Sequence, residues 1–301
     1  PANEAKLQRF SELLSELDLK HKVMAGAELK QRLGTAYYCS ALWTQGGVML
    51  QPAKLGRAYI DLLPDNVSLF ENSPVLKWES SSNQVRVSTP MGQVSAKNML
   101  VAVNGFMAAG KVKRDRAFPL TLTASMTRPL TDGEYASIGC PQAWGVLSAQ
   151  AMGATVRLTE DRRIMVRNTV EVWPKMNMGG RQLMHRQSMH LRGLQRRFPQ
   201  LDASLFDSLW SGITCISANN GQVFERIEPN VFVAGCYNGG GIGLATLFGE
   251  QMAYMISGQM TDTIAQIEAR PKPTRLPPQP FLGWGVRMRL ARDRLLARHE
   301  N

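Results

Sequence analysis

Ile227-Glu-Pro-Asn-Val-Phe-Val-Ala-Gly-Cys-Tyr-Asn-Gly-Gly-Gly-Ile-Gly-Leu-Ala-Thr-Leu-Phe-Gly-Glu-Gln-Met-Ala-Tyr-Met-Ile-Ser-Gly258 is the stretch that decides the fold. Val231–Ala234 is short, apolar and largely β-branched, which predicts a buried strand. A glycine cluster follows, at Gly239, Gly240, Gly241 and Gly243. Apolar residues then recur at helical spacing up to Gly258, where a helix would end. The order strand, glycine turn, helix is typical either of a tight connection alone or of a ligand site. In a ligand site the glycines let the backbone approach the ligand, and the free N–H groups attract an electron-rich atom.

The totals restrict the class of protein. With 301 residues and 44% hydrophobic content, the chain can bury a sizeable core, and it contains no run of 18 apolar residues that would span a membrane. It opens on Pro1-Ala-Asn-Glu, which does not read as a secretory leader. Its four cysteines, at 39, 140, 215 and 236, are isolated, so we expect reduced thiols in the cytoplasm rather than disulfides or a zinc site. Cys215 and Cys236 are expected to be small buried hydrophobic residues.

The formal net charge of +11 raises nucleic acid or an anionic membrane as partners. The arginines are spread over several segments without aromatic interleaving or a nucleic-acid-reading motif, so we predict no nucleic-acid binding. Residues 285–298 form a basic segment with apolar residues at helical spacing. This segment is predicted to be either a solvated helix packed on its domain or a peripheral membrane contact.

Helical and extended patterns alternate along the first half. They predict, in order, a helix over residues 4–17, a short helix between Gly26 and Gly34, a glycine turn with a short strand over 43–50, a helix from Pro52, a hairpin over 85–96, and a strand over 99–103 buried on both faces of a parallel sheet.

From about Lys111 the pattern becomes antiparallel. Thr-rich alternation predicts strands over 120–127, 154–159 and 163–167. A basic amphipathic helix follows, ending at Phe198-Pro199, with Met184, Leu191, Leu194 and Phe198 predicted to face inward. The proline-rich residues 271–280 predict a linker.

Five ordered segments carry a family resemblance: Val48 to Leu62, Ser73 to Gly105, Thr159 to Ile164, Phe198-Pro-Gln-Leu with Trp210-Ser-Gly212, and Pro229 to Gly249. Together they resemble the FAD-dependent D-amino-acid oxidase superfamily, which includes glycine, sarcosine and γ-glutamylputrescine oxidases. The resemblance implies an α/β (α+β overall) fold, in which an antiparallel β-sheet substrate domain accompanies a Rossmann-like FAD-binding domain that is incomplete at its N-terminus. It implies FAD-binding segments at residues 1–110 and 211–270, a substrate domain at 111–210, and a linker with a basic tail at 271–301.

The resemblance also implies roles for single residues. Non-covalent FAD would meet the backbone of Gly239, Gly240, Gly241, Ile242 and Gly243 at its flavin, of Val75 at its adenine, and of Asn104 and Gly105 near its pyrophosphate. Substrate contacts are implied at Trp210, Thr214, Arg163 and Tyr237. The alternatives are a sheet-edge valine at 75 and an ordinary turn at 104–105.

Three departures from the family pattern qualify that reading. The sequence lacks the Gly-x-Gly-x-x-Gly segment with which the family opens, so we expect an N-terminally truncated or split chain that needs the missing segment, or a partner chain, to hold FAD tightly. Thr214 stands where the family commonly has a carboxylate-binding arginine, and Gly240 where it often has histidine. Both favour an amine or a larger amino compound over a simple α-amino acid, although Arg163 or Arg157 could bind a carboxylate. No residue is identified as a catalytic base, and no metal is implied.

Three functions therefore remain open. The first is a flavin-dependent amine or amino-acid oxidoreductase. The second is a remnant or subunit of the same fold that has lost FAD and acts in binding or assembly. The third, a protein that binds nucleic acid or a membrane surface, rests on charge alone and predicts salt-sensitive binding.

Overall fold

The computed structural model describes residues 2–110, 112–173, 178–298 and 300. Of residue 2 it describes only the backbone. Residue 111, at one predicted boundary, lies outside that range. The helices of the described residues are α1 (Ala2–Glu16), α2 (Gly26–Leu33), α3 (Pro52–Asp61), α4 (Asp132–Ser137), α5 (Gly180–Arg197), α6 (Gly241–Ile256), α7 (Asp262–Glu268) and α8 (Phe281–Leu296). The helices predicted over 4–17, between Gly26 and Gly34, from Pro52, and after the glycine cluster are thereby confirmed.

The strands are β1 (His21–Ala25), β2 (Ser40–Thr44), β3 (Lys77–Ser80), β4 (Val85–Thr89), β5 (Gly92–Ala96), β6 (Met99–Val101), β7 (Phe118–Thr127), β8 (Trp144–Leu147), β9 (Thr155–Leu158), β10 (Ile164–Glu171), β11 (Phe206–Ile216), β12 (Val223–Glu228) and β13 (Val231–Gly235). They form sheets ordered β1-β2, β11-β7-β10-β9-β8, β12-β13-β6 and β3-β4-β5. The mixed α/β class, the antiparallel strands after residue 118 and the hairpin over 85–96 are confirmed.

The chain divides into two compact units. Unit 1 comprises Pro1–Met49, Thr121–Gly212 and Gly283–Asn301, and unit 2 comprises Leu50–Leu120 and Ile213–Leu282. These boundaries differ from the predicted ones, because residues 1–49 belong with the antiparallel segment rather than with residues 50–110. Helix α2 contributes Leu29 and Leu33 to the core of unit 1, and Met24 and Ala41 of the β1–β2 hairpin pack against that core, which explains the difference.

The core of unit 1 lies between the five-stranded sheet and α5. Val156 and Val166 from the sheet meet Leu194 and Phe198 from the helix and its end. The prediction that Met184 faces inward is wrong, because its side chain is 64% exposed. The buried positions of α5 include His190 and Arg197 instead, since the sheet and the Tyr38 hydroxyl supply partners for these polar groups.

Unit 2 contains the sheet of β12, β13 and β6. Strand β13 is buried at every position, because it is central and is covered by α6. Strands β13 and β6 are parallel, as predicted. The prediction that β6 is buried on both faces is only partly correct: Leu100 is 38% exposed, since β6 is the edge strand of this sheet within the described residues.

Two further predictions are corrected. The short strand, β2, lies before the glycine turn rather than after it, because it pairs with β1. After the turn Gln51 caps α3, since its Oε1 accepts a hydrogen bond from the Lys54 amide (2.7 Å). Residues 271–280 are a packed strap rather than a free linker. The Leu276 amide donates to the Asp115 carbonyl (2.7 Å) and the Arg116 guanidinium to the Pro273 carbonyl (3.1 Å).

Within the described residues, no helix combines the length and the apolar character needed to cross a bilayer.

Candidate functional site

The site lies where two parallel strands end. Val233 of β13 is in register with Val101 of β6, so the carboxyl ends of both strands lie at the same edge of the sheet. Ligands of open α/β sheets bind at such edges. The two chain segments that leave this edge are joined directly, because Asn104 Oδ1 accepts a hydrogen bond from the Cys236 amide (3.0 Å).

The turn after β13 is built from left-handed residues. Cys236, Asn238 and Gly239 have φ values of +57°, +51° and +94°. The Asn238 side chain holds this conformation: its Oδ1 accepts from the Ser217 amide (2.8 Å) and its Nδ2 donates to the Cys236 carbonyl (2.9 Å). Left-handed backbone in residues other than glycine is a strained arrangement that clusters at functional sites.

Helix α6 begins in that turn with its N-terminus uncapped. Its N-cap, Gly240, offers no side chain, and no acidic residue occupies the first turn. A Cβ added at Gly239, Gly241 or Gly243 would meet no atom within 4 Å. The fold therefore gives no internal packing reason for these three glycines, and the backbone there is open to a ligand. The first-turn N–H groups and the helix dipole favour an electron-rich or anionic atom at this position.

Gly105 has a different structural reason to be glycine. It is buried, and an added Cβ would lie 2.8 Å from Ile213 Cγ2. Asn104, just before it, has a φ of +37°, which asparagine tolerates better than most residues. These two residues fix the end of β6 whether or not they also approach a pyrophosphate.

Thr214 and Tyr237 adjoin the same turn. Thr214 precedes Cys215, whose carbonyl accepts from the Asn238 amide (3.2 Å). The Tyr237 ring packs edge-on against Phe248, with centroids 5.6 Å apart, and burial raises its pKa. The structure thus brings Asn104, Gly105, Thr214, Tyr237 and the glycine cluster into one region of unit 2.

The other predicted site residues are Val75 of unit 2 and Trp210 and Arg163 of unit 1. Val75 is 53% exposed and directly precedes Leu76, whose amide donates to Ser88 of β4 (2.9 Å). Trp210 is an exposed residue of β11 in unit 1. Arg163, also in unit 1, already forms ion pairs with Asp161 (3.1 Å) and Asp207 (3.0 Å). The ligand roles of these three residues stay predictions.

Two of the four cysteines form a buried, hydrogen-bonded pair. Cys215 and Cys236 are buried, as predicted, whereas Cys39 and Cys140 are exposed. A hydrogen bond to Cys236 together with burial raises the pKa of Cys215, so this thiol stays protonated at neutral pH. The described residues contain no group of three or more His, Cys, Asp or Glu side chains arranged to hold a metal ion.

Sequence reasoning missed two features of unit 1. His190 is fully buried among the hydroxyls of Thr123, Ser125 and Thr169. Arg167 lies beside Arg157 on the sheet, and neither has a carboxylate partner within the described part of the chain. The sequence contained a signal for this pair. Side chains alternate between the two faces of a strand, so Arg157 and Arg167 must lie on the face opposite Val156 and Val166.

The chain is similar in sequence to a known protein family and to two known proteins. Residues 1–255 match the family model described as DAO, FAD dependent oxidoreductase. Gamma-glutamylputrescine oxidoreductase of Escherichia coli is 25% identical over 274 residues, which cover 89% of this chain and 62% of that protein. The probable oxidoreductase OrdL of Haemophilus influenzae is 25% identical over 241 residues, covering 77% and 52% respectively. The chain therefore spans between half and two thirds of the length of these relatives.

Among solved structures, L-proline dehydrogenase from P. horikoshii superposes with a TM-score of 0.71 at 19% identity, covering 89% of this chain and 73% of that one. At this level of identity the likeness is one of fold.

Proposed function

Because the chain belongs to the DAO family of FAD-dependent oxidoreductases, we propose that it forms part of a flavoenzyme that oxidises the carbon–nitrogen bond of an amine or amino acid. The observation that carries this proposal is the uncapped start of α6, where Gly239, Gly241 and Gly243 leave open space beside free backbone N–H groups. An FAD-binding family and an open glycine cradle at the carboxyl ends of parallel strands support the same site.

The residues of the cradle fit a flavin. Bound FAD would supply the acceptor for a hydride from the carbon next to the amine nitrogen. The amides of Gly241, Ile242 and Gly243 would orient the electron-rich edge of the ring and stabilise negative charge there, an effect of the oxyanion-hole type. Asn104 would keep the end of β6 against the turn through its bond to Cys236 (3.0 Å).

The substrate proposed is an amine or a larger amino compound. A threonine at 214 cannot form the bidentate ion pair by which an arginine binds the carboxylate of an α-amino acid. Gly240 adds no side chain beside the turn. The relative named gamma-glutamylputrescine oxidoreductase, which this chain resembles at 25% identity, supports the choice of an amine.

A further segment is proposed to complete the flavin site. The sequence contains no Gly-x-Gly-x-x-Gly motif, and β6 lies at the edge of its sheet within the described residues. Edge strands offer unpaired backbone groups to an additional strand. An upstream extension or a partner chain carrying the motif would supply that strand.

The test is visible absorption after FAD is added and excess is removed by gel filtration. It compares the 301-residue chain with a form that carries its upstream coding sequence. We expect retained flavin bands in the extended form, and bleaching when an oxidisable amine is added without oxygen. The absence of flavin from both forms would overturn the proposal in favour of the FAD-free binding or assembly role.

Gly243→Ala in the extended form provides the local test. The new methyl group enters the open cradle, so FAD affinity should fall about tenfold or more. Gly133→Ala is the matched control, because an added Cβ there also meets nothing within 4 Å and Gly133 lies in unit 1. Equal FAD affinity for both variants would show that the start of α6 does not hold the flavin.

A further inference from the structure

The second candidate site lies on the face of the five-stranded sheet opposite α5. Val156 and Val166 point into the core shared with that helix. Since side chains alternate along a strand, Thr155 and Arg157 of β9 and Met165 and Arg167 of β10 share the other face. In the register of this antiparallel pair, Arg157 is opposite Met165 and Thr155 is opposite Arg167. The two arginines are therefore close neighbours on adjacent strands.

Residues of the neighbouring strands lie beside both side chains. Arg167 Nη2 donates to the Thr155 hydroxyl. Gly145 of β8 is opposite Arg157, and an added Cβ at Gly145 would lie 3.6 Å from Arg157 Cγ and 3.9 Å from its Nε. The Arg157 side chain thus runs along the space that the glycine leaves. Both arginines are partly buried, neither fully exposed nor removed from solvent.

Four other arginines of unit 1 have a carboxylate partner, and this pair does not within the described residues. Arg128, Arg162, Arg163 and Arg186 each lie within 3.1 Å of a carboxylate oxygen. Across the described ranges, neither Arg157 nor Arg167 lies within 4 Å of a carboxylate.

Burial and the neighbouring charge of Arg157 lower the pKa of Arg167. The surroundings of Arg167 therefore disfavour its charged form, although the guanidinium group remains protonated. Two like charges held together and partly dehydrated destabilise a fold unless an anion offsets them.

We propose that Arg157 and Arg167 form a binding site for the carboxylate group of a small organic ligand. The guanidinium group is planar and presents paired N–H donors that match the two oxygens of a carboxylate. Arg163, the other arginine that the sequence offers for this role, has its charge offset by Asp161 and Asp207. All residues of this site belong to unit 1.

The test uses the ¹⁵N-labelled 301-residue chain without FAD. Arginine Nε–H resonances are followed during titration with acetate, with its neutral isostere acetamide, and with inorganic phosphate. We expect saturable shifts for Arg157 and Arg167 with acetate and none with acetamide at matched ionic strength. Arg167→Gln should weaken acetate binding about tenfold or more. Arg162→Gln is the control, because Arg162 is already paired with Asp132 (2.6 Å), and it should leave the titration unchanged.

A second variant separates binding from folding. Arg167→Met removes the unneutralised charge but keeps a long side chain on the sheet, so it should raise the melting temperature of the free protein and abolish stabilisation by acetate.

Three results would overturn the proposal. One is the absence of saturable acetate shifts up to about 100 mM, far above a millimolar affinity. Another is an equal loss of binding in Arg162→Gln. The third is tighter binding of phosphate than of acetate, which would overturn the carboxylate assignment.

Discussion

At the residue scale, glycines of the same region serve opposite purposes. A Cβ added at Gly105 would lie 2.8 Å from Ile213 Cγ2, whereas a Cβ added at Gly243 would meet no atom within 4 Å. The sequence alone cannot distinguish them, because the difference depends on which side chain from a distant strand arrives beside each one. The first glycine belongs to the packing of the fold and the second is free for a ligand.

This contrast predicts opposite effects on stability. Gly105→Ala should lower the free energy of unfolding by about 1–3 kcal/mol through overpacking. Gly243→Ala should raise it by up to about 1 kcal/mol, since alanine is the better helix former. Urea denaturation of the 301-residue chain measures both. Ile213→Ala, which removes the contacting methyl group, should recover part of the loss in Gly105→Ala. A neutral Gly105→Ala would contradict the packing role.

A buried histidine predicts a pH dependence. His190 Nδ1 lies 2.8 Å from Ser125 Oγ, and burial lowers the pKa of His190 from 6.5 to about 4. The unfolded chain takes up a proton as the pH falls through 6.5, while the folded chain does so only near 4. The contribution of His190 to stability is therefore complete above pH 6.5 and is lost progressively as the pH falls towards 4.

Between about pH 7.5 and about pH 5 this histidine should lower the free energy of unfolding by about 2 kcal/mol. Urea denaturation at the two pH values measures the difference. His190→Gln should remove most of it. His185→Gln, at an exposed position of the same helix, should not. A full pH effect in His190→Gln would assign the dependence to other groups.

At the scale of helices and strands, the local sequence pattern was sufficient to predict an element where one local interaction dominates. The start of α3 follows from Pro52 and the Gln51 cap, and β13 followed by α6 is apparent from an apolar run and a glycine cluster. The pattern was insufficient where distant partners decide. Met184 fits an apolar stripe, yet hydroxyls from the sheet make His190 the buried residue of α5. The prolines of residues 271–280 suggested a linker, but Asp115 and Asn219 bind the backbone of that segment.

The candidate sites likewise contain features that the sequence predicts and features that it does not. Proximity of Asn104 to the glycine turn follows from two parallel strands ending at one edge, which the sequence patterns anticipate. The lack of a carboxylate partner for Arg167 among the described residues does not follow from the sequence, because it depends on which carboxylates the fold places near each arginine. Arg163 looked equally available in sequence, and only the positions of Asp161 and Asp207 exclude it.

Helix α8 covers most of the basic segment over residues 285–298, for which a peripheral membrane contact is one of the two predictions. Met288 and Leu295 are 70% and 63% exposed, and Arg287, Arg289 and Arg292 are exposed as well. Arg294 donates to the Val170 carbonyl of β10 (2.7 Å), which anchors the helix to unit 1. An apolar surface bordered by arginines suits the headgroup region of an anionic bilayer.

We therefore expect the chain to sediment with vesicles of phosphatidylcholine and phosphatidylserine, and less with phosphatidylcholine alone. Met288→Glu with Leu295→Glu should reduce this binding about tenfold or more. Met91→Glu, at a highly exposed methionine of the β4–β5 turn, is the matched control and should bind normally. Binding that is independent of lipid charge, or unaffected by the double substitution, would refute the contact.

At the scale of the whole molecule, the edge position of β6 predicts an exchange pattern. Amides that point away from β13 lack a partner strand within the described residues, so in the 301-residue chain they should exchange with deuterium about tenfold or more faster than those of β13. The extended form should slow them if the added segment pairs with β6. Equal protection of β6 and β13 in the shorter chain would contradict the open edge.

The interleaving of the two units has a consequence for synthesis on the ribosome. Unit 1 is assembled from three separated segments, and the guanidinium of Arg197 in its middle segment is held by the Glu300 carbonyl (3.0 Å). During translation, residues 283–300 emerge only after all of unit 2 has been made. Unit 1 therefore cannot be completed in the order of synthesis: the bond from Arg197 to Glu300 forms only after residues Ile213–Leu282 of unit 2, which include the strap, have left the exit tunnel.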